Sequence, residues 1–356
     1  MPTSTRAESR PPAISAARKT RQYGALARGA LVSSIRQKMM PASVAMRRAS
    51  TVRRTSSPVP QAYGTTEEGQ LVNLYTLTND EGMEVTITNY GSTVVALEVP
   101  DRDGKFEDVV LGYDKLEDYE KGQSYFGGTI GRYANRIAHG KFTIGGRDYV
   151  LPKNNGDNTL HGGIKGFNKR VWAAKDISSS SGHALQLTYL SEDGEEGFPG
   201  SLSVTAIFNV PADRNDVRID YSATTGGKGT ILNLTNHSFF NLAGAGYGNI
   251  LGHRLIVRAS QFTPIDAKQV PTGEFRNAAG TPFDFGRATV IGERIYEDCE
   301  QLNFGKGYDH NWVLNRTGPG SLDLAAQAYD TSTRTIPRQM GRSPPWCSWT
   351  SKAADQ

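Results

Sequence analysis

Cysteine is scarce: two thiols, Cys299 and Cys347, in 356 residues. Two cysteines cannot build a disulfide framework, and neither stands in a Cys/His spacing that would hold zinc, so each is expected as a free thiol and no metal is expected. No uninterrupted apolar run approaches the roughly 18 residues that cross a bilayer as a helix, so no membrane partner is expected for the folded part. Acidic residues are almost missing from the first 60 positions, where Glu8 alone stands against twelve Lys/Arg. That segment carries +11, so the formal +4 of the whole chain leaves −7 on the remainder. The clustered positive charge that nucleic acid requires is therefore not expected on the body. Long 3.6-residue periodicity is also lacking, which excludes a helical body.

Glycine is abundant, at 39 residues, and Thr, Val and Tyr recur in short alternating runs. Strands are expected over Leu71–Thr78, Glu84–Asn89 and Thr93–Val99, with turns at Asn79–Gly82 and Asp101–Gly104. Further strands are expected over Val171–Ile177, Ala184–Ser191, Leu202–Asn209, Val217–Thr224, His253–Ala259 and around Trp312–Leu314, with one or two helical turns between Asp114 and Gly122. Antiparallel strands at this spacing predict an all-β fold.

The centre of the chain is Gly131–Gly163. A polar cluster (Arg132, Asn135, Arg136) precedes two alternating runs, Lys141–Ile144 and Arg147–Leu151, which are split by Gly145-Gly146; His161 then follows between short glycine-rich turns. Two such runs joined by Gly-Gly read as a β-hairpin, which brings its flanks together and sets Asn135 and Arg136 against His161. Guanidinium, amide and imidazole converging on one place suit a polyhydroxylated ligand. Solvated arginines and a histidine that merely decorates a turn are the alternative. Farther on, in Ile231–Leu242, a regular strand puts Asn233, Thr235 and His237 on one side. His161 and His237 are the histidines with a functional setting, since an imidazole can give a proton to an oxygen that gains charge. His139, His183, His253 and His310 stand in ordinary contexts. Asp309, in Gly307–Asn311, suits either sugar hydroxyls or a turn.

The ends differ from the body. Residues 1–62 are rich in Arg, Ser and Ala, and Gln22–Met40 suits a basic amphipathic helix. This is the composition of an organellar transit peptide, mitochondrial or plastid; a disordered tail is the alternative, and the chain would then be cytoplasmic. From about Pro337 alternation stops and a Pro-Pro pair appears, so residues 333–356 read as an unrelated tail.

Four stretches resemble the aldose 1-epimerases, or galactose mutarotases: Gly131–Ile137 (GRYANRI), Asn158–Gly163 (NTLHGG), Asn233–Gly244 (NLTNHSFFNLAG) and Tyr308–Asn311 (YDHN). The resemblance covers about residues 70–332 and excludes both ends, and residues 63–332 are read as one domain. The resemblance implies a large antiparallel β-sandwich, the galactose mutarotase-like supersandwich, that interconverts anomers of free aldohexoses without a cofactor. It implies that Asn135, Arg136 and Asp309 bind sugar hydroxyls, that His161 bonds near the ring oxygen, and that His237 is the general acid. It also implies a C-terminal glutamate as base, preceded by a sugar-binding glutamine. No Glu follows Glu300 in this chain, so that base and the last strands of the sandwich are expected to be missing. A catalytically silent carbohydrate-binding protein is therefore the alternative. No Arg/Lys cluster beyond Arg136 and Lys169-Arg170 marks a phosphorylated sugar. The partner expected is a small-molecule sugar, and the oligomeric state stays open.

Overall fold

Two-residue alternation in Leu71–Thr78, Glu84–Thr88 and Thr93–Pro100 builds the middle of a five-stranded antiparallel sheet. Gln61–Thr65 and Phe106–Asp108 form its edges, so spatial order follows chain order. The structure is a computed structural model that describes residues 58–330 apart from 102 and 319, together with the strand backbone at 25–26, 31–39 and 347–352. A second, nine-stranded sheet runs Ala173–Asp176, Gly182–Ser191, Ser201–Pro211, Asp216–Gly226, Leu31–Met39, Cys347–Lys352, Asp323–Tyr329, Arg254–Val257 and Thr289–Val290, antiparallel throughout.

The core lies between these sheets. Leu77, Val85, Ile87 and Leu97 of the first share one buried cluster with Leu187, Val204, Phe208 and Tyr221 of the second, and Trp172 packs with them. Along Ser201–Pro211 every second residue from Leu202 to Val210 is buried, as a strand with one face on a core requires. Each such Leu, Val or Phe contributes about 1.5–3 kcal/mol. The all-β fold expected from the sequence is the fold observed, and the short helix expected after Asp114 is Leu116–Lys121.

The ends depart from expectation. Leu31–Met39 is a strand where composition suggests a basic helix, and Cys347–Lys352 is a strand where loss of alternation suggests none. They lie side by side, between Asp216–Gly226 and Asp323–Tyr329, with Ile35 opposite Ile219 and Cys347 opposite Ala328. The physical reason is the ladder: both flanking strands offer rows of N–H and C=O groups whose pairing outweighs weak local propensity. The sheet described is thus continuous at the place where the sequence implies missing strands. The rest of the basic leader and of the tail lies outside the described residues.

The central hairpin forms as read. Lys141–Ile144 pairs with Arg147–Val150, and Gly145 and Gly146 both have positive φ, 59° and 76°. Its flanks then pair, Arg136–Ile137 against Thr159–Leu160. Just beyond, Gly162 has φ +89°, and a Cβ there would lie 1.8 Å from the Gly131 carbonyl oxygen. Gly162→Ala is expected to destabilise the protein by more than about 3 kcal/mol in denaturant melts, since strain and backbone overlap add. Gly145→Ala, with open space around it, is expected to cost only about 1–2 kcal/mol.

Candidate functional site

Three segments run together above the core. Thr129–Ile130 pairs with Thr235–Asn236, Tyr133 bridges Asn233, and Arg136–Ile137 pairs with Thr159–Leu160. These short ladders carry Tyr125, Asn135, Arg136, His161 and His237 into one neighbourhood. The regular strand expected over Ile231–Leu242 is broken after Leu232 and again after Asn236. His237 leaves it with both backbone groups bound, its N–H to Gly128 O at 2.9 Å and its C=O to Gly127 N at 3.1 Å.

Asn135 and His161 hold one another. The His161 N–H donates to Asn135 O, and the Asn135 N–H donates to His161 Nδ1, both at 3.1 Å. Nδ1 is therefore an acceptor, and a neutral ring with an accepting Nδ1 carries its proton on Nε2. Protonating Nδ1 would set two N–H groups against each other. Burial first, then the neighbouring His237 and Arg136, push the His161 pKa down to about 3. His161 is thus a neutral Nε2–H donor at physiological pH.

The His237 ring stands against His161, with centroids 5.0 Å apart and planes at 84°. Tyr125 touches both, at 4.7 Å from His161 and 5.7 Å from His237, and Phe239 closes the far side of His237 at 5.0 Å. Burial lowers the His237 pKa, while the Asp309 carboxylate acts the other way and favours the imidazolium. Asp309 itself is exposed, delivered by the turn after helix Glu300–Gly305. Its neighbours are fixed: the Tyr308 hydroxyl donates to Pro282 O, and His310 Nε2 meets Gln301 Oε1.

Asn135 Oδ1 accepts from the Arg136 N–H at 2.7 Å, which leaves the amide nitrogen as the outward donor. The Arg136 guanidinium donates from Nε to Asn155 Oδ1 at 3.0 Å and from Nη2 to Gln269 Oε1 at 2.6 Å. Asp309 and Asp266 act on it electrostatically. All five candidate residues, Asn135, Arg136, His161, His237 and Asp309, thus belong to one connected group.

Arg132 does not join them. It is 1% exposed, and its two terminal nitrogens donate to Pro199 O, Gly200 O, Thr230 Oγ1, Ser191 O and Oγ, and Glu192 O. It fastens the site's floor to the strand ends behind it. Tyr125, Asn155 and Gln269 escape sequence reasoning, because their roles come from contacts far along the chain. Tyr125 has one local signal, its place just before Gly127-Gly128, a few residues ahead of the first motif. Among the described residues, no group of His, Cys, Asp and Glu is arranged to hold a metal ion.

The family model for aldose 1-epimerase matches residues 73–355, running past the point where the motifs end. The galactose mutarotase of Bos taurus is 41% identical over 265 residues, 74% of this chain and 72% of its own length. The aldose 1-epimerase of Escherichia coli K12 is 36% identical over 253 residues, 71% of each chain. The crystal structure of galactose 1-epimerase from Lactobacillus acidophilus NCFM matches with a TM-score of 0.68 at 26% identity, over 83% of this chain and 91% of that one.

The depressed His161 pKa has a stability consequence. Unfolded, the ring takes a proton near pH 6.5; folded, it refuses one until about pH 3. Its contribution is therefore complete above pH 6.5 and is lost as pH falls toward 3, by up to about 1.4 kcal/mol per unit. Urea melts between pH 7.5 and 4.5 should show parent stability falling more steeply than that of His161→Leu; equal slopes would refute the assignment.

Proposed function

The chain belongs to the aldose 1-epimerase family, and from that premise we propose that it interconverts the α and β anomers of free aldohexoses, glucose or galactose, by acid/base ring opening. A base takes the proton of the C1 hydroxyl, His237 gives a proton to the ring oxygen, and the C1–O5 bond breaks to leave the open-chain aldehyde. Rotation about C1–C2 presents the other carbonyl face, and the reverse transfers close the opposite anomer. His161, through its Nε2–H, bonds at the ring oxygen and anomeric centre and shares the developing charge. The Asn135 amide, Arg136 and Asp309 bind hydroxyls.

The observation that carries this reading is the convergence of two imidazoles, 5.0 Å apart, with a guanidinium and a carboxylate that each act on one or both of them. Burial lowers the His237 pKa, and the Asp309 carboxylate opposes part of that effect, an opposition that His161 lacks. A free rather than phosphorylated sugar is supported by the fate of the two nearby cations. Lys169 Nζ donates to Glu120 O, while Arg170 is held by Lys165 O and Glu195.

One observation favours a second reading, a sugar-binding protein without turnover: residues 301–356 contain no glutamate to serve as the base. Loss of a positioned general base costs on the order of 10²–10⁴-fold in rate. Polarimetry with freshly dissolved α-D-galactose and α-D-glucose, beside calorimetry, separates the two. Acceleration over buffer supports the epimerase; binding without acceleration supports the binder; neither would sink both. Where there is turnover, His237→Ala should lower kcat by about 10²–10⁴-fold with little change in KM. Arg136→Ala should chiefly raise KM, and the reverse pattern would exchange their roles.

A further inference from the structure

We propose that Gln269 is a positioning residue of the sugar site, which sets the guanidinium of Arg136 for the ligand and ties it to the element that delivers Asp309. This rests on reading the site as an aldose pocket.

A guanidinium offers five N–H donors in a rigid plane. Here Nε is taken by Asn155 Oδ1 and Nη2 by Gln269 Oε1, the latter at 2.6 Å and 133 positions away in the chain. These two amides occupy one edge of the fork and leave the Nη1 end for a ligand. Both acceptors are neutral, so the guanidinium is oriented without being neutralised, and it remains a charged donor for hydroxyl oxygens.

Gln269 is built for the task. Its φ is +61°, unusual for a residue other than glycine or asparagine, and three hydrogen bonds hold it there. Its N–H donates to Asp266 O at 2.8 Å, its Oε1 accepts from Arg136, and its Nε2 donates to Phe304 O at 3.2 Å. Phe304 lies in helix Glu300–Gly305, which leads directly to Asp309. The adjacent Lys268 pairs with Asp157 at 2.9 Å, fastening the same loop to the turn that carries Asn155. Arg136 is thus clamped between two loops that are themselves joined.

The test is D-galactose affinity, by calorimetry, in three variants of the full chain, each with its thermal midpoint. Gln269→Met keeps the shape and removes both side-chain bonds; its dissociation constant is expected to rise about tenfold, the typical effect of losing a hydrogen bond to a charged group, with the midpoint unchanged. Gln269→Glu keeps an acceptor for Arg136 and should recover affinity to within about threefold of the parent, since the lost bond to Phe304 is a weaker neutral one. Parent affinity in Gln269→Met, or equal weakness in both variants, would overturn the proposal. Arg136→Ala is the control: if it binds galactose as the parent does while the parent binds well, the aldose-site reading fails, and not this inference alone.

Discussion

Two hydrogen bonds between Asn135 and His161 govern the rest of the site. One sets the backbone separation, and the other sets which nitrogen of the imidazole keeps its proton. Both depend on the register of Arg136–Ile137 against Thr159–Leu160, which the Gly145-Gly146 hairpin closes. A slip of one residue would turn His161 to the other face and offer the Asn135 N–H to nothing. The tautomer is therefore a consequence of strand pairing, and the imidazole presents its Nε2–H already fixed.

Charge in this neighbourhood is divided between structure and function. Arg132 and Arg136, four positions apart, have opposite fates. The first is buried and spent on four backbone carbonyls and two hydroxyls, and burial brings its pKa down to about 10. The second is half-buried, held by neutral amides, and keeps an open end. Desolvation wins over every other influence at His161 and His237, but only at His237 does a carboxylate oppose it. That difference separates the two imidazoles: one remains a neutral donor, and the other is the better placed to carry a transferable proton.

Much of this was legible in the sequence. Alternation located the three middle strands of the five-stranded sheet and five strands of the nine-stranded one within a few residues, and the Gly-Gly hairpin sets Asn135 and Arg136 against His161 as its pattern implies. What failed did so for reasons of distance along the chain. Arg132 reads like its neighbour Arg136, and only the carbonyls of residues 192, 199 and 200 decide that it is structural. Gln269 sits in a polar turn with no local mark. Leu31–Met39 and Cys347–Lys352 have weak strand signals, and their ladders come from neighbours remote in sequence. Within the site, local pattern placed side chains on faces, while partner identity required the fold.

The most direct measurement is long-range ¹H–¹⁵N NMR of the His161 ring at pH 7, with and without D-galactose. A bare, accepting Nδ1 and a protonated Nε2 are expected in the free protein, with the Nε2 resonance shifting as sugar binds. A proton on Nδ1, or a doubly protonated ring, would contradict the lock on which the site is built; an Nε2 indifferent to sugar would contradict its use.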